Sequence, residues 1–353
     1  MSAASVVGLK MFTTTTGLAV NTTWNPAGQV ATHSYLTVTR DGGNRWNVVS
    51  HLPSLYRSPL LAFVSPSMGY IADVGVANSM VMTTNRGLSW TRVPIVGGPT
   101  SVTVSGGAVW VTSDRCPSGV IDGSNENCWT SLSVIKVGAS APTTVHVIPS
   151  DDPALRAILP KTITSWTARL VARTGPSSAL VVEGNDGPNI LLTTTNSGSS
   201  WHAVVNPCGR VWVDIGAVVS RSRWYMLCST GGGMNQSTNV LYETYNAGRT
   251  WTLLAEAHIE GPNKGGIDGF DPGVFGANAS GRFLWLTDSL GFVDVSTDGG
   301  QTWHFVRRVL SVYTAEPFVS VGDHAWLANY QGGLIRTSDG LHWNLVQRAG
   351  LHN

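Results

Sequence analysis

One turn is written six times in this chain: "TRDGGNRW" (39–46), "TTNRGLSW" (83–90), "TTNSGSSW" (194–201), "TYNAGRTW" (244–251), "STDGGQTW" (296–303) and the shortened "TSDGLHW" (337–343). The closing tryptophans lie 44 residues apart from Trp46 to Trp90, 50 from Trp201 to Trp251, then 52 to Trp303 and 40 to Trp343. The gap of 111 between Trp90 and Trp201 is two such periods with one copy missing. A self-similar period of about 40–50 residues, with room for four short strands, is the signature of a propeller blade. The missing copy is expected in "LSVIKVGASAPTTVHVI" (132–148), where two strand-like runs flank a Gly-Ala-Ser turn without tryptophan.

A second periodic feature gives the same count. Upstream of each turn lies an apolar run that ends in a polar residue: "GLAVNT", "GYIADV", "AVWVTSD", "ALVVEG", "WYMLCS", "FLWLTD" and "AWLANY". There is one per unit, including the unit that lacks the turn, and each reads as the second strand of a blade. First strands are expected at "SVVGLKMF", "LLAFVSP", "TSVTVS", "TARLVART", "VDIGAVV", "GVFGANA" and "PFVSVG". The expected fold is an all-β, seven-bladed propeller of four-stranded antiparallel blades, forming one domain over 1–353. The blades fall at about 1–50, 51–97, 98–150, 160–206, 207–257, 265–308 and 309–350. The chain then starts on an inner strand and ends on an outer one. Contacts between the first and last blades, or a few N-terminal residues, would then have to close the ring.

The turn has a physical logic. Asp or Asn at its third position can bond its own backbone two residues on. Glycine at the fifth supplies positive φ. The Ser and Thr hydroxyls can satisfy free amides, and the tryptophan buries a large area against the next layer. Asp41, Trp46, Asn85, Trp90, Asn196, Trp201, Asn246, Trp251, Asp298, Trp303, Asp339 and Trp343 are accordingly read as structural.

These turns resemble the Asp-box, or BNR repeat, S/T-x-D/N-x-G-x-S/T-W. Over nearly its whole length the chain looks like the Asp-box seven-bladed propellers. That group includes photosystem II assembly factors, sortilin-like receptors and xyloglucan-cleaving enzymes, and the cadence here is most like the assembly-factor type. The resemblance implies a fold and a structural role for the box, but not a function. Sialidases share the box on a six-bladed frame. They require an Arg-Ile-Pro and an arginine triad, and "YRSP" (56–59) lacks the Ile-Pro.

Composition narrows the function classes. Charged residues make up 12% of the chain and the net charge is +1, so electrostatically driven nucleic-acid binding has no basis. No apolar stretch reaches 18 residues, so no transmembrane helix is expected. The start "MSAASVVGLKMF" shows no signal peptide. Four cysteines allow three pairings, and spacing favours Cys116–Cys128 with Cys208–Cys228. Disulfides point to a secreted or extracytoplasmic setting. No histidine spacing suits a metal, and no motif suits a nucleotide or a nucleophilic serine.

The polar ends of the second strands should gather on one face. They are Asn21 and Thr22, Asp73, Asp114, Glu183, Ser229, Asp288 and Asn329. Four are carboxylates. A pair among Asp73, Asp114, Glu183 and Asp288 could run glycoside hydrolysis as acid and base or nucleophile. Hard oxygens there could also hold Ca²⁺, and the bland reading is that strand-end acids bond nearby loop amides. The longest inter-blade segment, "AHIEGPNKGGIDGFDPG" (257–273), carries Asp268 and the ligand-binding candidates Phe270 and Asp271. The other ligand-binding candidates are Trp24, Tyr56, Arg57, Tyr313, Glu316 and Tyr330. The leading expectation is a non-catalytic, monomeric extracytoplasmic module for a glycan or protein ligand, without a required cofactor. The alternative is a polysaccharide-degrading hydrolase with a carboxylate pair at the channel mouth.

Overall fold

A computed structural model describes residues 4–25, 31–53, 56, 58–105, 107–115, 129–148, 166–174, 177–184, 190–194, 200–209, 212–233, 236–257, 264–288, 290–308, 317–328 and 333–347. It contains seven four-stranded antiparallel sheets, each built from four consecutive strands. Blade one is β1 (Ala4–Met11), β2 (Gly17–Trp24), β3 (Ala31–Thr39) and β4 (Asn47–His51). Blade two is β5 (Pro59–Ser65), β6 (Met68–Asp73), β7 (Val81–Thr83) and β8 (Thr91–Arg92). Blade three is β9 (Gly98–Ser105), β10 (Ala108–Arg115), β11 (Trp129–Lys136) and β12 (Thr144–Ile148). Blade four is β13 (Trp166–Thr174), β14 (Ser177–Gly184), β15 (Ile190–Thr194) and β16 (His202–Val204). Blade five is β17 (Trp212–Val218), β18 (Trp224–Gly233), β19 (Gln236–Thr244) and β20 (Thr252–Ala257). Blade six is β21 (Pro272–Ala277), β22 (Leu284–Asp288), β23 (Phe292–Ser296) and β24 (His304–Arg308). Blade seven is β25 (Phe318–Val321), β26 (His324–Ala328), β27 (Leu334–Thr337) and β28 (Trp343–Gln347).

The first strands meet in ring order, β1 to β5, β9, β13, β17, β21, β25 and back to β1. This is the seven-bladed propeller that the repeat period predicts. Both faces of each blade face a neighbour, so the apolar runs need not alternate with polar residues. The core is divided among the seams. Six apolar clusters fill six of the seven seams among the described residues. Between blades one and two, for example, Leu18, Leu36, Tyr56, Phe63 and Ile71 pack together.

The boxes close the third-to-fourth strand turns as their chemistry requires. In the fifth copy, Ser296 Oγ donates to Asp298 Oδ1 (2.8 Å), and the Gly300 amide donates to Ser296 Oγ (2.7 Å). The amides of Gln301 and Thr302 donate to Asp298 Oδ1 at 3.1 and 3.0 Å. The Trp303 indole donates to the Gly300 carbonyl (3.2 Å). The same Thr-to-Asp/Asn bond recurs at Thr39–Asp41, Thr83–Asn85, Thr244–Asn246 and Thr337–Asp339. Asn196 lies outside the described residues. In blade three, residues 137–143 make the turn without a box, held by the Ala139 amide to the Lys136 carbonyl (2.9 Å).

Each described box turn also packs on the blade before it. A Cβ on Gly300 would meet Leu241 of blade five at 2.9 Å, and one on Gly340 would meet Phe283 of blade six at 3.0 Å. Aromatic tips of second strands cross the seams in the opposite sense. Tyr70 donates to the Ala139 carbonyl (2.9 Å), Tyr225 to the Gly281 carbonyl (3.0 Å) and Trp326 to the Gly42 carbonyl (2.8 Å). Neighbouring blades are thus bonded as well as packed.

Candidate functional site

The strand order puts the box turns and the first-to-second hairpins on one face. The second-to-third turns and the blade connections share the other. The described strand-end residues lie on this second face, and most of their described side chains are engaged locally; Asn329 lies outside the described residues. Asp73, 5% exposed, accepts the Ser58 amide at Oδ1 (2.8 Å) from the incoming connection. Asp114 accepts the Thr130 hydroxyl (2.6 Å) across its own hairpin. Asp288 Oδ1 accepts the amides of Leu290 (2.8 Å) and Phe292 (2.9 Å). In blade one, Asn21 Nδ2 donates to Thr37 Oγ1 (2.7 Å) and the Thr22 hydroxyl to the Tyr56 carbonyl (2.8 Å). Glu183 sits on β14 opposite Thr167.

The candidate ligand residues fare differently. Tyr56 is fully buried, not exposed, so it cannot stack on a ligand. Its hydroxyl donates to the Ser79 carbonyl (3.3 Å). Burial, helped by the charge of Asp73, pushes its phenol well above the usual range. Trp24 is half-buried. Phe270 is half-buried against Phe292, ring centres 5.7 Å apart, and Phe292 meets Phe305 edge-on at 5.3 Å. Asp271 accepts the Ser237 hydroxyl. Arg57, Tyr313, Glu316 and Tyr330 lie outside the described residues.

The structure adds a cluster that the strand-end series only touched. Asp268 descends from the blade-five-to-six connection onto β22 and β23. There its carboxyl interacts with those of Asp294 and Asp288. Burial first, then the hydrogen bond to Asp294 and its charge, push Asp268 up to about 8. Burial raises Asp288 to about 6 against the pull of the Phe292 amide, and the charge of Asp268 adds to the rise. Burial likewise raises Asp294. Sequence reasoning missed Asp294. The available signal was an acid inside the apolar strand "FVDVS", where Asp is disfavoured.

The connection carrying Asp268 is docked by neutral bonds. Asn239 Nδ2 donates to the carbonyls of Asp268 (3.0 Å) and Phe270 (2.7 Å). The Ser237 amide donates to the Gly269 carbonyl (2.8 Å), and the Trp303 amide to the Gly265 carbonyl (2.7 Å). Ile267 is buried among Leu241, Ala255, Leu284 and Trp303.

One disulfide, Cys208–Cys228, joins the connection into blade five to β18, with Cα atoms 5.3 Å apart. Cys116 and Cys128 lie outside the described residues. Among the described residues, no group of three or more His, Cys, Asp or Glu side chains could hold a metal ion. No described helix is long and apolar enough to cross a membrane.

No protein-family model matches the sequence, and no curated protein matches it. Solved structures do. YCF48 bound to D1 peptide aligns with a TM-score of 0.57 and 16% identity, over 95% of this chain and 92% of that one. YCF48 from Cyanidioschyzon merolae aligns at 0.56 and 15% identity, over 95% of this chain and 98% of that one. An acylaminoacyl peptidase from Pyrococcus horikoshii aligns at 0.59 and 8% identity, over 98% of this chain and 52% of that one. At these identities the likeness is one of fold.

Proposed function

We propose that this chain is a non-catalytic binding or assembly module of an extracytoplasmic space. It would hold a protein segment or a glycan on the face made by the second-to-third turns and the blade connections. The observation that carries this reading is how the strand-end acids are used. Asp73, Asp114 and Asp288 each accept a bond from their own loops or hairpins, the arrangement expected of structural turn acids. A glycosidase needs two carboxyls about 5–10 Å apart with a sugar between them. The carboxyls of Asp268, Asp288 and Asp294 instead interact in a buried seam, where Asp294 is 2% exposed, a setting that does not suit a sugar. The Cys208–Cys228 disulfide supports an oxidising compartment.

One of the similar structures is bound to a peptide, so a protein segment is the ligand class to try first. The test is a paired screen of peptide and glycan arrays that scores binding and product release together. Binding without turnover is the expected result. Release of reducing ends, abolished by Asp288→Asn, would make the chain a hydrolase and overturn the reading.

A further inference from the structure

The seam between blades five and six holds more buried acceptors than donors. Oδ2 of Asp268, Asp288 and Asp294 has no hydrogen-bond donor. The same is true of Asn239 Oδ1, on the neighbouring blade and outside the acidic group. Asn239 and Asp294 are 0% and 2% exposed, so water does not supply the missing donors at the surface. Both donor positions of the Asn239 amide nitrogen are spent on the Asp268 and Phe270 carbonyls, which fixes its oxygen, unanswered, in this seam. Buried acceptors without donors are costly.

Among the described side chains, no cation answers them. Blade five presents Ser237 and Asn239, both neutral, and Ser237 is committed to Asp271. Blade six presents Asp288 and Asp294. The segment 264–271 contributes Asp268, Asp271 and Lys264, and the Lys264 ammonium donates to the Leu253 carbonyl (2.9 Å). Glu256 of β20 meets this segment by backbone bonds to Lys264. Among the described residues, no group of three or more acids could hold a metal ion. Protons can supply the missing donors. A carboxylic acid is a donor, a carboxylate is not, and two facing carboxyls bond only when at least one is protonated.

We infer that the segment 264–271 is a proton-operated latch. It is docked on blades five and six while the carboxyls of Asp268, Asp288 and Asp294 share protons, and it loosens when those protons leave. The raised values, about 8 for Asp268 and about 6 for Asp288, agree with this geometry. A group whose folded value is raised stabilises fully below its unfolded value, near 4. That stabilisation is lost as pH climbs through the folded values. The steps belong to the coupled group, not to single residues. Ionisation would leave like charges in contact in a buried seam. The Phe270–Phe292 contact and the Ser237–Gly269 bond are the attachments that then give way.

The test is amide hydrogen exchange on the whole protein between pH 5 and pH 9, corrected for the intrinsic pH dependence of exchange. Protection of Ser237 and of the 264–271 amides should fall at least tenfold over that range, while amides of β3 stay flat. Asp268→Asn has no proton to lose at this position, so the loss of protection above about pH 7 should shrink, leaving the part set by Asp288 and Asp294. Asp294→Asn serves as a second variant, and the wild-type comparison stands even where a variant fails to fold. Unchanged wild-type protection would overturn the latch, as would a uniform loss across the chain. Protection restored at pH 9 by millimolar Ca²⁺ would overturn it too, replacing protons with a cation.

Discussion

The indole nitrogen of Trp326 donates a 2.8 Å hydrogen bond to the carbonyl of Gly42, 284 residues away in sequence. The bond joins the last blade to the box turn of the first, and no strand is exchanged between them. Around it pack Val6, Leu9, Met11 and Ala19 of blade one with Ala328 and Leu334 of blade seven. The Arg336 guanidinium lies over the Trp326 ring, 5.8 Å from its centre. Among the described residues, this bond and the side-chain packing around it close the ring.

Trp326→Phe keeps most of the ring and leaves the Gly42 carbonyl without its donor. It should cost about 1 kcal/mol, the net worth of one hydrogen bond. Trp326→Ala also opens a cavity and should cost about 3–5 kcal/mol. Urea unfolding checks both, and near-equal costs would mean that the hydrogen bond dominates the closure.

Gly300 has φ of +92°, and a Cβ there would meet Leu241 and Leu284 at 2.9 Å each. Gly300→Ala combines a left-handed alanine with overpacking and should destabilise by about 2 kcal/mol or more. Gly322 also has positive φ (+59°), but nothing lies within 4 Å of its Cβ position, so Gly322→Ala should cost only the backbone term. Thermal unfolding of the pair separates seam packing from turn strain.

The box acids and the buried acids respond to pH with opposite signs. Burial is the largest single influence on Asp298 and raises it, but the bonds from Thr302, Ser296 and Gln301 together outweigh it and hold the carboxyl low. Asp339 is held low by the His342 amide and imidazole. Asp41 is also lowered, the Arg45 amide and the Thr39 hydroxyl outweighing burial. A lowered group stabilises above its unfolded value, near 4, and that contribution disappears as pH falls through the folded value. Melting temperature should therefore fall steeply below about pH 4. Asp298→Asn should lessen that acid loss, and an unchanged acid limb would show that the boxes do not set it.

The Cys208–Cys228 bond spans 20 residues. Removing it by a double substitution to serine should cost about 3 kcal/mol, the value for a closed loop of this length. A reducing agent on the wild type should reproduce most of that loss in a denaturant titration. No effect of either would show that the connection into blade five is already held by packing.

The fold was legible because its signals repeat. Six boxes and seven apolar runs align, so an error in one unit is corrected by the others. Even the unit without a box showed its turn, at 137–143, by where the period placed it. Contacts between units carried no such signal. Tyr70, Tyr225 and Trp326 read simply as apolar-run residues, because their polar tips find partners only when the blades are set side by side. Tyr56, a ligand-binding candidate, is buried instead. It lies in a connection, and connections have no period to say which way a ring points. Asp288 was found as a strand end. Its partners Asp268 and Asp294 come from a loop and a strand interior, and only the folded seam brings the three together.

Every sheet here is a single unbroken stretch of chain. Among the described strands, no blade lends a strand to another, so no one seam is special to the backbone. The ring could be opened at another blade connection and its present ends joined by a linker, with all seven sheets kept whole. Each blade is also a unit that could be copied by tandem duplication of one gene segment. The seam contacts, such as Tyr70 to Ala139 and Trp326 to Gly42, then become the means by which a row of alike modules settles on an order.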